Sequence, residues 1–110
     1  MDSVVLYAFR SPEIKISIEA YFRENGDLVI DGYDIGRTVE NYFGDSDYEY
    51  ILTIPAVETE KLYPLLVSVL NDKAVLLSQL QTKFNTNTCF SDIQKFLTDH
   101  GVQHSTFTWR

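Results

Sequence analysis

One cysteine, one methionine, one tryptophan, three prolines and five glycines are all that 110 residues contain of those types. The lone cysteine, Cys89, excludes an internal disulfide and fits a reducing compartment. No apolar run approaches the roughly 20 residues that cross a bilayer, so no membrane contact is expected. The opening stretch MDSVVLYAFRSPEIK begins with an acid, holds Arg10 and lacks the apolar core of a secretory signal. The expected setting is the cytoplasm. Bases are scarce too: nine Lys and Arg face sixteen Asp and Glu, a formal charge of −7. Phosphate recognition needs clustered Lys and Arg, so direct nucleic-acid binding is not expected.

What the chain does have is aromatic and aliphatic bulk. Seven Phe, seven Tyr and one Trp, with a hydrophobic fraction of 45%, exclude a disordered chain and suffice for one core. No repeat, low-complexity tract or linker interrupts the sequence, so residues 1–110 are expected to form a single domain. The acids are unevenly spread. Between Asp27 and Glu60 nine acids accompany one base, Arg37, leaving the remainder near neutrality.

Hydrophobic periodicity changes along the chain. Ser3 to Phe9 is β-branched and aromatic, a short strand. From Ile14 to Arg23 apolar and polar residues alternate strictly, the pattern of a strand with one buried face. Glu24-Asn25-Gly26-Asp27 supplies a hairpin turn, and Asp27 to Asp34 returns as the partner strand. Gly32 and Gly36 suggest a bend where that strand leaves the sheet. Arg37 to Phe43 fits a short helix stopped by Gly44. Tyr48, Tyr50, Leu52 and Ile54 share one face of a further strand, ended by Pro55.

Beyond Pro55 the period becomes helical. Leu62, Leu65, Leu66, Val69 and Leu70 follow one helix stripe, with Pro64 tolerated only in the first turn. Asp72 can cap a helix presenting Leu76, Leu77, Leu80 and Phe84. Thr88 or Ser91 opens another, presenting Phe90, Ile93, Phe96 and Leu97, with Gly101 as its stop. Val102 to Trp109 alternates again as a closing strand. The order βββ(α)βαααβ describes an α+β domain: an antiparallel sheet of four to five strands, covered on one face by three to four helices. The other sheet face is expected to carry Lys15, Glu19, Tyr21, Arg23, Asp31 and Tyr33.

Chemistry-bearing motifs are few. Asp45-Ser46-Asp47 starts like a calcium loop, but Tyr50 and Ala56 stand where the turn glycine and the bidentate glutamate belong, so no metal is expected. His100 and His104 are four apart, yet Gly101 breaks any helix that would carry both. No phosphate-binding glycine loop, dinucleotide fingerprint or nucleophile elbow occurs, and no cofactor or catalytic residue is assigned. Tyrosines interleaved with acids are the strongest signal. Asp31, Tyr33, Asp34, Asp45, Asp47, Tyr48, Glu49 and Tyr50 could receive Lys and Arg through carboxylate pairs and cation–π contacts.

The segments DGYDIGRTVENYFGDSDYEY (Asp31 to Tyr50) and SDIQKFLTDHG, with the terminal FTWR, resemble a family of small acidic bacterial proteins. Some of these are similar to the immunity partners encoded beside toxins in contact-dependent or polymorphic toxin systems. That resemblance implies one-to-one inhibition of a toxin in the cytoplasm, without catalysis. The expected function is thus a non-catalytic, acidic module that binds a basic protein partner, as a monomer or homodimer. A regulatory protein whose acids mimic nucleic-acid phosphates is one alternative, and an enzyme with an unrecognised site is another.

Overall fold

The computed structural model describes residues 3–36, 47–66 and 72–109. The helix expected at Arg37 to Phe43, its stop Gly44, Asp45, and the stripe positions Val69 and Leu70 lie outside the described residues. Among the described residues, five strands form one antiparallel sheet in sequence order: β1 (Ser3–Arg10), β2 (Ile14–Phe22), β3 (Leu28–Gly36), β4 (Asp47–Ile54) and β5 (Ser105–Trp109). Among the described residues, four helical segments lie between β4 and β5: α1 (Ala56–Thr59), α2 (Leu62–Leu66), α3 (Lys73–Lys83) and α4 (Cys89–Asp99). This is the expected α+β arrangement of strands first, helices next and a strand to close. No helix among the described residues is long and apolar enough to cross a membrane.

Local chemistry sets the turns. Ser11 Oγ accepts from the amides of Glu13 and Ile14, folding β1 back onto β2. At the next turn Gly26 takes φ +93°, its amide bonds to the Arg23 carbonyl, and Arg23 N–H closes onto the Asp27 carbonyl. That three-residue loop fixes Phe22 opposite Leu28, and every later β2–β3 pair follows from it. Asp27 also accepts from the Ala56 amide at 2.9 Å, tying this turn to the start of α1.

Alternation sends Ile18, Ala20 and Phe22 of β2, Leu28 and Ile30 of β3, and Leu52 and Ile54 of β4 to one face. There they meet Leu62 and Tyr63 of α2, Leu76, Leu77 and Leu80 of α3, and Cys89, Ile93 and Leu97 of α4. Asp72 caps α3 by accepting from the Val75 amide at 3.1 Å. Past the end of α4, Gly101 adopts φ +68° while Gly101 N–H bonds to Thr98 and Val102 N–H to Leu97. That double closure is a Schellman stop, and it delivers Val102 into the core, 2% exposed.

Two details differ from the sequence-based expectation. The helix expected to start near Thr59 or later begins at Leu62, after a separate short helix at Ala56–Thr59, but Leu65 of its stripe is 41% exposed rather than buried. A helix continuous from Ala56 would place Pro64 in its interior, where the ring clashes with the preceding turn; the chain breaks and restarts so that Pro64 sits in a first turn. Gly32 marks no bend. Pairing runs unbroken through it to Gly36, and what its missing side chain allows is the close packing of an aromatic ring.

Candidate protein-binding face

The register determines which of the eight candidate residues stand together. Tyr33 opposes Ser17 and Glu49, and Asp31 opposes Glu19 and Ile51, so Asp31, Tyr33 and Glu49 share the sheet face away from the helices. Asp47, opposite Ile35, belongs to that face as well. Asp34, Tyr48 and Tyr50 face the other way: Tyr48 opposes Asp34, and Tyr50 opposes Gly32 on the core side. Period two in β4 separates neighbours in sequence onto opposite faces. Asp45 lies outside the described residues. The single acidic and aromatic surface expected from the sequence is therefore corrected to two separate groups.

On the open face three carboxylates occupy adjacent strands. Glu19 is directly opposite Asp31, and Glu49 sits diagonally from Asp31 on β4. Among the described residues no Lys or Arg forms an ion pair with any of the three; the exposed pairs Lys61–Glu58 and Lys95–Asp99 belong to the helical half. Like charges opposed across strands destabilise a sheet, so this centre costs the fold stability. The Glu49 carboxyl is held above the ordinary carboxylate range by burial first, then by its hydrogen bond with Asp31 and the Asp31 charge.

Tyrosines frame these acids. Tyr21 OH donates to Asp31 Oδ2 at 3.4 Å, and Tyr33 OH donates to Asp47 Oδ2 at 3.1 Å. Burial and the neighbouring Asp31 charge raise the Tyr21 phenol, while the bond to Asp47 is the leading cause for Tyr33, so both phenols are kept protonated. A shallow hollow of ≈ 320 Å³ lies among Ser17, Glu19, Asp31, Tyr33 and Glu49, with Lys15 at its rim. In the same row as Glu19 and Asp31, Ile51 pairs with Phe107 of β5, which is 63% exposed. Val29, on the same face between Tyr21 and Thr53, is fully buried.

The helix-side group is a packing device. Tyr50 donates to Asp34 Oδ1 at 2.8 Å, lies 5.5 Å from the Tyr48 ring and meets Phe90 of α4 edge-on at 4.9 Å. Burial raises the Asp34 carboxyl despite the Tyr50 bond, and burial with Asp34 pushes the Tyr50 phenol far up. Cys89 is 0% exposed with its thiol pushed up to about 11 by burial, the profile of a core residue rather than a nucleophile. His100 and His104 each bond through Nδ1 to a backbone carbonyl, of Phe96 and Val102. No cluster of three or more metal-ligating side chains occurs among the described residues.

Glu19, Lys15 and Phe107 belong to the open face but not to the set read from the acidic stretch. Alternation in β2 already placed Lys15 and Glu19 on the face expected to carry Asp31 and Tyr33, and the turn at Asn25-Gly26, by fixing Phe22 opposite Leu28, sets Glu19 directly opposite Asp31. In the comparisons with known proteins, no family model, no curated protein and no solved structure matches the chain.

Proposed function

We propose that this protein is a non-catalytic binding module whose open sheet face receives a cationic protein. The observation that carries this is Glu19, Asp31 and Glu49 side by side on three strands, with no Lys or Arg of the described chain paired to them. A fold gains nothing from opposing acids at the centre of a sheet; a Lys or Arg arriving from outside converts that cost into charge-assisted hydrogen bonds. Tyr21 and Tyr33 add rigid rings beside the carboxylates, the residue type that anchors interfaces. The net charge of −7 speeds encounter with a basic partner over long range. Together with the resemblance to immunity proteins, this supports inhibition of a basic bacterial toxin by coverage of its substrate-binding surface, with no reaction on this chain.

The test uses the product of the gene immediately upstream as the partner. Its association with this protein should slow steeply with added salt, and the triple variant Glu19→Gln, Asp31→Asn, Glu49→Gln should associate about tenfold more slowly with a flatter salt dependence. Failure of that product to bind removes the immunity assignment. Binding that ignores both salt and the triple variant removes the face.

A further inference from the structure

The two edges of the sheet are built differently. On β1 the register slips between Val5 and Tyr7, and Leu6 turns into the core. Gln81 of α3 donates from Nε2 to the Val5 carbonyl at 2.9 Å, and the strand ends on the charged Arg10. A bulge, a covering side chain and a terminal charge are the devices that keep an edge from pairing with another chain. On β5, Ser105–Trp109 has no charge, no proline and no glycine, and its register with β4 is unbroken. Ser105, Thr106, Phe107 and Thr108 are all exposed.

We propose that β5 pairs antiparallel with β5 of a second copy of this chain, joining two five-stranded sheets into one. The occupant follows from the strand itself. Ser-Thr-Phe-Thr-Trp reads almost the same in both directions about Phe107, so two-fold pairing sets Phe107 against Phe107 of the second copy and Thr106 against Thr108. Aromatic and threonine pairs of this kind stabilise antiparallel neighbours. Charge selects the same contact. Two copies at −7 oppose acid to acid over most approaches, whereas β5 brings together uncharged residues only. The contact is isologous and closes at two copies. Because the two-fold axis stands perpendicular to the sheet, both open faces look the same way. The pairing stands independently of what that face binds.

Phe107→Cys is the direct probe. Opposed Cα atoms in an antiparallel pair lie about 4.5–5.5 Å apart, within disulfide reach. Cys89 is fully buried and does not compete, and Val5→Cys, on the guarded edge with the native residue 47% exposed, is the control. Under mild oxidation Phe107→Cys should form a disulfide-linked species of twice 12.7 kDa, at least about tenfold faster than Val5→Cys. By sedimentation the native chain should be dimeric and Phe107→Lys monomeric with an unchanged circular-dichroism spectrum, while mixing Phe107→Lys with Phe107→Glu restores the dimer. A native chain that stays monomeric up to about 1 mM overturns the proposal. So does a Phe107→Lys chain that still dimerises, or a cross-linking rate equal to that of Val5→Cys.

Discussion

Tyr50 lies flat over Gly32, its cross-strand partner, so closely that a Cβ on residue 32 would overlap the phenol ring. The glycine gives up strand propensity and in return lets the ring reach Asp34 on one side and Phe90 on the other. Gly32→Ala should therefore destabilise the protein by about 2 kcal/mol, in the range of overpacked cores. In a Tyr50→Ala background the same change should be neutral or slightly stabilising, because the obstacle is gone. Chemical denaturation of the four chains measures the coupling; equal costs in both backgrounds would contradict this role for Gly32.

The carboxyls give stability a shaped pH dependence. Asp34 and Glu49 have folded pKa values raised above their unfolded ones, so their charged forms are penalised at neutral pH. That penalty is relieved as pH falls toward the ordinary carboxylate range, and stability rises with acidification there. Glu58 behaves oppositely. Bonds from Lys61 Nζ and the Gln103 amide lower its pKa, so its contribution is present above the ordinary range and lost as pH falls further. The urea midpoint should thus peak on the acid side of neutrality. Asp34→Asn, which still accepts from Tyr50, should flatten the rise, and Glu58→Gln the later fall.

Gly101 is required by its backbone alone. Its φ of +68° is left-handed, and a Cβ there would meet nothing within 4 Å. Gly101→Ala should cost about 1 kcal/mol, the conformational penalty without a packing component, and Gly101→Asn less. Thermal unfolding compared across the three chains checks the ranking.

The Cys89 thiol is enclosed and its pKa stands at about 11. A thiol reagent at neutral pH should leave the folded protein unmodified and label it stoichiometrically in denaturant. Rapid labelling of the folded chain would show that the face of α4 opens onto solvent.

The sequence made most of the scaffold legible and less of the site. Strict alternation from Ile14 to Phe22 identified β2 and its buried side, and Asp72 marked the start of α3, because both signals act within a few residues. Gly32 was misread as a bend. A mid-strand glycine acquires its meaning from the residue across the ladder, and that residue is eighteen positions away. The acidic stretch was read as one surface because Asp47, Tyr48, Glu49 and Tyr50 are contiguous. Strand geometry separates them alternately, which the recognised stripe of Tyr48, Tyr50, Leu52 and Ile54 already implied. Glu19 and Asp31 were legible as neighbours on the open face, because the Asn25-Gly26 turn makes their strands a hairpin.

Sequential order of the strands has a kinetic consequence. β1, β2 and β3 each pair with a strand close by in the chain, whereas the fourth ladder must bring Ser105 back to Thr53 past α1, α2, α3 and α4. Loop-closure entropy delays that last ladder. Until it forms, the outer rim of β4 is bare, and its Tyr-Ile-Leu-Thr-Ile run is the segment through which a half-folded chain would aggregate. Slowing the arrival of β5 should therefore cost yield before it costs stability.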